Sequence, residues 1–212
     1  LDAMPAKRLK FSDGRFFEIG VDYIDGQFQW CLFDEPYSGL MKIPTVNFIE
    51  GYKTEINLQA LAWIESLYDT MSDGIVLLID YGMNRTEYFH PQRNEGTLRC
   101  YHKHKASDNP FENIGKQDIT TSVNFSDVAD RACEAGFEVL GYSNQAMFLL
   151  SLGIEDYLSQ EKDEENRIQL AQQIKQLILP SAMGESFKVL ALSKKHTVKL
   201  DGFREQDLTG KL

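Results

Sequence analysis

The segment Ile75-Val76-Leu77-Leu78-Ile79, running into Asp80-Tyr81-Gly82, constrains the fold more than any other part of the chain. A strand with one wet face alternates apolar and polar residues. A strand that is apolar at every position is expected when helices cover both faces of a parallel sheet. Ahead of it, residues 54–71 carry Ile56, Leu61, Ile64, Leu67, Tyr68 and Met71 at helical spacing, and Ser72-Asp73-Gly74 supplies the stop. The same grammar returns further on: Ser126 can cap a helix through Ala135, Gly136 can end it, and residues 137–141 read as the next strand. Repeated helix–glycine–strand units place the chain in the α/β class.

Around this frame, residues 15–24 and 27–33 are strand-like runs flanking Asp25-Gly26, a dipeptide suited to the positive dihedrals of a tight hairpin turn. Residues 81–125 are polar and punctuated by Gly82, Pro91, Gly96, Pro110 and Gly115, a connection too long for packing alone. Residues 145–158 and 161–179 read as helices and 187–193 as a last strand. The 212 residues suit one elaborated domain. Its parts are an opening segment with the hairpin (1–53), the main α/β portion (54–193, with 81–125 inserted) and a tail (194–212).

Charge and composition exclude several functions. A net charge of -10 argues against nucleic acid, whose phosphates are held by clustered Lys and Arg. No apolar run reaches membrane-spanning length, so no membrane insertion is expected. Cys31, Cys100 and Cys133 are odd in number and widely spaced, which fits neither a disulfide framework nor a zinc knuckle. The nucleophile-elbow, phosphate-loop and zinc-helix motifs are missing, as is a complete dinucleotide-type glycine loop.

Chemistry is best placed at Asp80-Tyr81-Gly82, because open α/β sheets bind ligands beyond the carboxyl ends of their strands. Asp80 can orient a cationic substrate or simply cap the next turn, and Tyr81 can guide an alkyl group. In the long connection, Arg99, His104, Asp118 and Thr120 are candidates for substrate contact. An Arg99–Asp118 ion pair that pins the loop competes with that role. His102 and His104 have a spacing that can bind metal, but no nearby Cys, Asp or Glu completes a ligand set, so no metal site is expected.

Several blocks, in order, carry a resemblance: Leu1-Asp2-Ala3-Met4-Pro5; the apolar strand into Asp80-Tyr81-Gly82; Gly96-Thr97-Leu98-Arg99-Cys100-Tyr101 followed by His104; Asp118-Ile119-Thr120 followed by Val123-Asn124-Phe125; Gln145 with Phe148-Leu149-Leu150 and Leu152-Gly153-Ile154; and Met183-Gly184-Glu185 with Phe187-Lys188-Val189-Leu190-Ala191-Leu192. From residue 1 to about 193 the chain resembles the MidA-type methyltransferases, which depend on S-adenosylmethionine. The resemblance implies a Rossmann-like fold in which residues 75–79, 137–141 and 187–193 are the fifth, sixth and antiparallel seventh core strands.

The resemblance also implies that the glycine-rich cofactor loop and the ribose-binding acid lie upstream of Leu1. The expected fold is therefore a partial Rossmann-like methyltransferase with an inserted hairpin and long loop, lacking its cofactor-binding strands. The family's mitochondrial member is a protein arginine methyltransferase for respiratory complex I assembly, so a protein arginine is the implied acceptor. Asp80 and Tyr81 would then be the catalytic pair. The location is cytoplasmic for a bacterial protein and mitochondrial for a eukaryotic one. A non-catalytic interaction module of the same fold is the alternative. An unpaired sheet edge could join the chain to a copy of itself.

Overall fold

The computed structural model describes residues 1–39, 44, 46–103 and 105–212. The chain divides into two compact units, residues 1–62 with 85–123 and residues 63–84 with 124–212. In the first, β1 (Lys7–Ser12), β2 (Arg15–Ile24), β3 (Gln27–Pro36) and β4 (Lys53–Ile56) form an antiparallel sheet ordered β3-β2-β1-β4. The expected hairpin is β2–β3. Asp25 and Gly26, at φ 51° and 81°, turn the chain so that Ile24 faces Gln27, a two-residue turn whose twist matches its strands. Asp13-Gly14 does the same between β1 and β2. Leu9, Phe16, Tyr52 and Ile56 form a core under this sheet, with Phe11 and Phe48 packed against it.

The helix expected over 54–71 is shorter. Residues 54–56 belong to β4, and α1 (Leu58–Thr70) begins after Asn57, whose side-chain oxygen accepts a hydrogen bond from Ala60 N at 2.9 Å. The helical spacing began at Ile56, but the cap residue and the pairing of β4 with β1 set the boundary. Through α1 the chain enters the second unit and forms β5 (Gly74–Met83). It returns to the first for α2 (Arg85–Tyr88), β6 (Arg99–His102), β7 (Lys105–Ser107) and β8 (Asp118–Thr120). The last three make an antiparallel sheet ordered β7-β6-β8, so a small part of the connection expected to be irregular is paired.

The second unit adds β9 (Val123–Asn124) at its boundary, α3 (Phe125–Ala135), β10 (Glu138–Asn144), α4 (Gln145–Ser151), α5 (Asp156–Gln160), α6 (Glu164–Ile178) and β11 (Phe187–Lys194). Its sheet is ordered β10-β11-β5-β9, with β11 antiparallel to both β10 and β5, the direction implied for the seventh strand. Asn124, rather than Ser126, caps α3, and Gly136 ends it in the left-handed region at φ 110°. The single helix expected over 145–158 breaks after Ser151, where Gly153 takes φ 76° and α5 restarts the pattern.

β5 corrects the reading of the apolar run: the neighbouring β11 is antiparallel, and only one face of β5 is closed. Leu78 is buried opposite Leu190. On the other face Val189 and Ala191 of β11 are sealed in a cluster with Phe148 and Phe203. Their register partners Ile79 and Leu77 remain 51% and 44% exposed, and Ile75 43%. The cover that closes this face over β11 stops short of β5. At Gly141 a Cβ would stand 2.3 Å from the Phe203 ring, so only glycine lets that ring seat.

Candidate functional site

At the carboxyl end of β5 the sheet register sets Asp80 opposite Lys188 and Tyr81 opposite Phe187. Asp80 is half-buried, and its Oδ1 accepts a hydrogen bond from Tyr81 N at 2.7 Å. Tyr81 is exposed, its ring edge-on to Phe187 at 6.1 Å, and Gly82 N donates to Ser186 O at 3.2 Å. Backbone pairing with β11 thus fixes the positions of a carboxylate and a phenol, adjacent in sequence, at a strand end. Such a carboxylate can accept N–H donors, and such a ring can flank an alkyl chain.

In the first unit, β6 and β8 bring Arg99 opposite Thr120 and Tyr101 opposite Asp118. Residues two apart on a strand share a face, so Arg99, Thr120 and Asp118 lie together on one side of that sheet. The expected Arg99–Asp118 ion pair does not form among the described residues. The Arg99 guanidinium donates instead to Leu98 O at 2.9 Å, and Thr120 Oγ1 donates to Arg99 O at 3.4 Å. A diagonal pair is too far apart for direct contact unless both side chains lean together. His104 lies outside the described residues. His102 Nδ1 is 2.5 Å from Lys116 O, and no group of His, Cys, Asp and Glu able to hold a metal occurs among the described residues.

Sequence reasoning missed Glu55, which sits on β4 and is 2% exposed. Its Oε2 accepts hydrogen bonds from Thr97 N at 2.7 Å and Thr97 Oγ1 at 3.0 Å, and Arg8 Nε approaches its Oε1 to 3.4 Å. Burial pushes the Glu55 carboxyl above its ordinary value, and the Thr97 hydrogen bonds and Arg8 pull the other way. Gly96 turns at φ 80°, and a Cβ there would meet Glu55 Oε1 at 2.3 Å. The only signal in the sequence was an acid one residue before the apolar Ile56, which also suits an exposed helix.

The comparisons with known proteins agree with this architecture. Residues 1–143 match the profile of a family described as "putative S-adenosyl-L-methionine-dependent methyltransferase". The chain belongs to that family. A crystal structure of a superfamily member from Burkholderia thailandensis, bound to S-adenosyl-homocysteine, is 35% identical and superposes with a TM-score of 0.94. A native crystal structure of an uncharacterized superfamily protein from the same organism is 35% identical, with a TM-score of 0.92. All of the chain is covered in both, but only 56% and 57% of those relatives, so it spans a little over half their length. No curated protein matches the sequence.

The family's cofactor is S-adenosylmethionine, and the S-adenosyl-homocysteine bound by the relative is the demethylated form of that molecule. The residues of this chain do not by themselves fit it. The buried carboxylate, Glu55, commits Oε2 to Thr97 and Oε1 to Arg8, leaving nothing set up for a pair of ribose hydroxyls. Gly82 continues a paired strand into buried Met83, rather than opening a loop where backbone could approach a cofactor.

Proposed function

We propose that the chain is the C-terminal part of an S-adenosylmethionine-dependent protein arginine methyltransferase of the MidA type, and that it supplies the acceptor side of the enzyme. The observation that carries this reading is the 35% identity, across the whole chain, with the relative that binds S-adenosyl-homocysteine. The half-open face of β5 supports a further covering portion: among the described residues Ile75, Leu77 and Ile79 stay exposed. In this reading the cofactor loop and ribose acid belong to the portion of the relatives beyond the matched 56%.

Here the chain's residues hold the acceptor. Asp80 accepts an N–H of the guanidinium and so favours the nitrogen presenting a lone pair. The Tyr81 ring guides the alkyl stem; Arg99, Asp118 and Thr120, on the sheet of the first unit, are proposed separately as contacts for polypeptide. The test is Asp80→Asn in a protein that also contains the remaining portion. Turnover is expected to fall at least about tenfold, while calorimetric affinity for S-adenosylmethionine is unchanged. Wild-type turnover, or equal loss of both, refutes the acceptor role. The 212-residue chain alone is expected not to bind the cofactor tightly, and tight binding by it would overturn the placement of the cofactor site.

A further inference from the structure

The β2–β3 hairpin leaves apolar surface in water. Its register sets Ile19 opposite Leu32, Val21 opposite Trp30 and Tyr23 opposite Phe28, so these six side chains share one face. Phe111 packs on that face, its ring centroid 4.9 Å from that of Trp30 and 6.5 Å from that of Phe28. Even so, Phe28 stays 45% exposed and Leu32 44%. A contiguous apolar strip left open in this way marks an interaction surface.

The same residues carry an open sheet edge. β3 is an outer strand of its sheet, ordered β3-β2-β1-β4. The tight turn at Asp25-Gly26 makes Ile24 and Gln27 a hydrogen-bonded pair, and along an antiparallel ladder such pairs alternate with non-bonded ones. Phe28, Trp30 and Leu32 belong to the non-bonded pairs, so their N–H and C=O groups point to the outer edge. Among the described residues nothing bonds to that edge. Exposed edges are usually blunted by short length, charge or proline. β3 runs for ten residues, with no charge before Asp34 and no proline before Pro36.

Charge selects what can pair there. Acids stand at both ends of the edge, Asp25 in the turn and Asp34 and Glu35 at the far end, all exposed. Among the described residues none of the three has a cationic partner, whereas Glu18 has Lys7 at 2.6 Å. A second copy of this chain would set five acids and one base, over residues 15–36, against the same charges. A segment with basic ends and an apolar middle suits both the acids and the strip between them. We propose that β3 is the docking edge for such a segment of another protein, which adds to the sheet in extended form as an antiparallel strand. Its main chain bonds to that of Phe28, Trp30 and Leu32, its apolar side chains extend the face those residues form, and its basic ends meet Asp25 and the Asp34–Glu35 pair. The proposal does not depend on methyl transfer.

Calorimetric titration with the peptide Lys-Arg-Val-Thr-Val-Thr-Val-Arg-Lys, blocked at both termini, tests it in a protein that also contains the remaining portion of the relatives' length. One saturable site is expected, with affinity falling as salt rises. The same peptide with Asp and Glu in place of its bases should bind at least about tenfold more weakly. In an antiparallel ladder the valines, opposite Phe28, Trp30 and Leu32, point their N–H groups at β3, and the threonines point theirs to solvent. N-methylation of the valines should therefore weaken binding at least about tenfold, and of the threonines less than about threefold. On the protein side, Asp34→Lys combined with Glu35→Lys changes two exposed residues. Its melting temperature should hold, while the basic peptide binds at least about threefold more weakly and the acidic one more tightly. Absence of saturable binding, whether because the remaining portion or a second copy already covers the edge, overturns the proposal. So do equal effects of the two methylations, equal binding of the two peptides, or unchanged affinities in the charge-reversed variant.

Discussion

Gly136→Ala is expected to destabilise the second unit by about 2 to 4 kcal/mol, and two separable causes can be read from the structure. Gly136 sits at φ 110° and ψ 8°, and its N–H donates to Ala132 O and Cys133 O, closing α3. Holding an L-residue in the left-handed region costs about 1 to 2 kcal/mol. The loss of unfolded-chain freedom gives back somewhat under about 1. The second cause is steric. A Cβ at this position would lie 2.7 Å from Tyr68 Oη and 2.8 Å from its Cζ. The Tyr68 ring cannot easily withdraw, since Phe137 packs against it at 5.0 Å and Lys194 Nζ stands 3.8 Å from its centroid. Overpacking of this kind costs about 1 to 3 kcal/mol. Urea denaturation of Gly136→Ala, Tyr68→Ala and the double variant separates the two. In the Tyr68→Ala background the glycine substitution should cost only about 1 kcal/mol, the backbone part. Equal costs in both backgrounds, or a wild-type cost under about 0.5 kcal/mol, would refute the reasoning.

Phe203→Ala should cost about 3 to 4 kcal/mol, because the 8%-exposed ring fills the space over Gly141 and packs on Phe148 at 5.2 Å. A denaturation midpoint within error of wild type would show that the tail does not hold this core. Glu55→Gln should change the pH dependence of stability. The native Glu55 carboxyl lies above its ordinary value of 4.5, so its share of stability is full below that value and is lost as pH rises through the raised native value. The stability of the variant relative to wild type should therefore rise as pH increases above that ordinary value. A relative stability that falls over that range would mean the Thr97 and Arg8 contacts outweigh burial.

Local chemistry was legible where one residue decides the backbone. Asp25-Gly26 announced the β2–β3 turn, and Gly136 the end of α3. Boundaries failed where two signals competed, as at residues 54–56, where pairing with β1 overrode the helical spacing. The apolar run at 75–79 gave its strand correctly but not its surroundings, because a run without alternation records what a strand can bury, not what this chain puts over it. Asp80 and Tyr81 could be placed at a strand end because sequence order locates them. The surroundings of Glu55 could not be read. Arg8, Glu55 and Thr97 come from three segments, and only folding brings them together.

The sheet of the second unit also imposes an order of events on synthesis. β11 bridges β5 and β10 and follows both in the sequence, so β5 waits about a hundred residues for this partner. At ribosomal speeds that wait is on the order of 5 to 20 s. Until then, among the described residues, the two-residue β9 is the one later neighbour it can have, and the Ile75–Ile79 run is a β-forming segment with no charge, the kind of sequence on which nascent chains aggregate. The yield of this protein in a cell should therefore depend on how well holdase chaperones shelter that interval, more than on the stability of the finished fold.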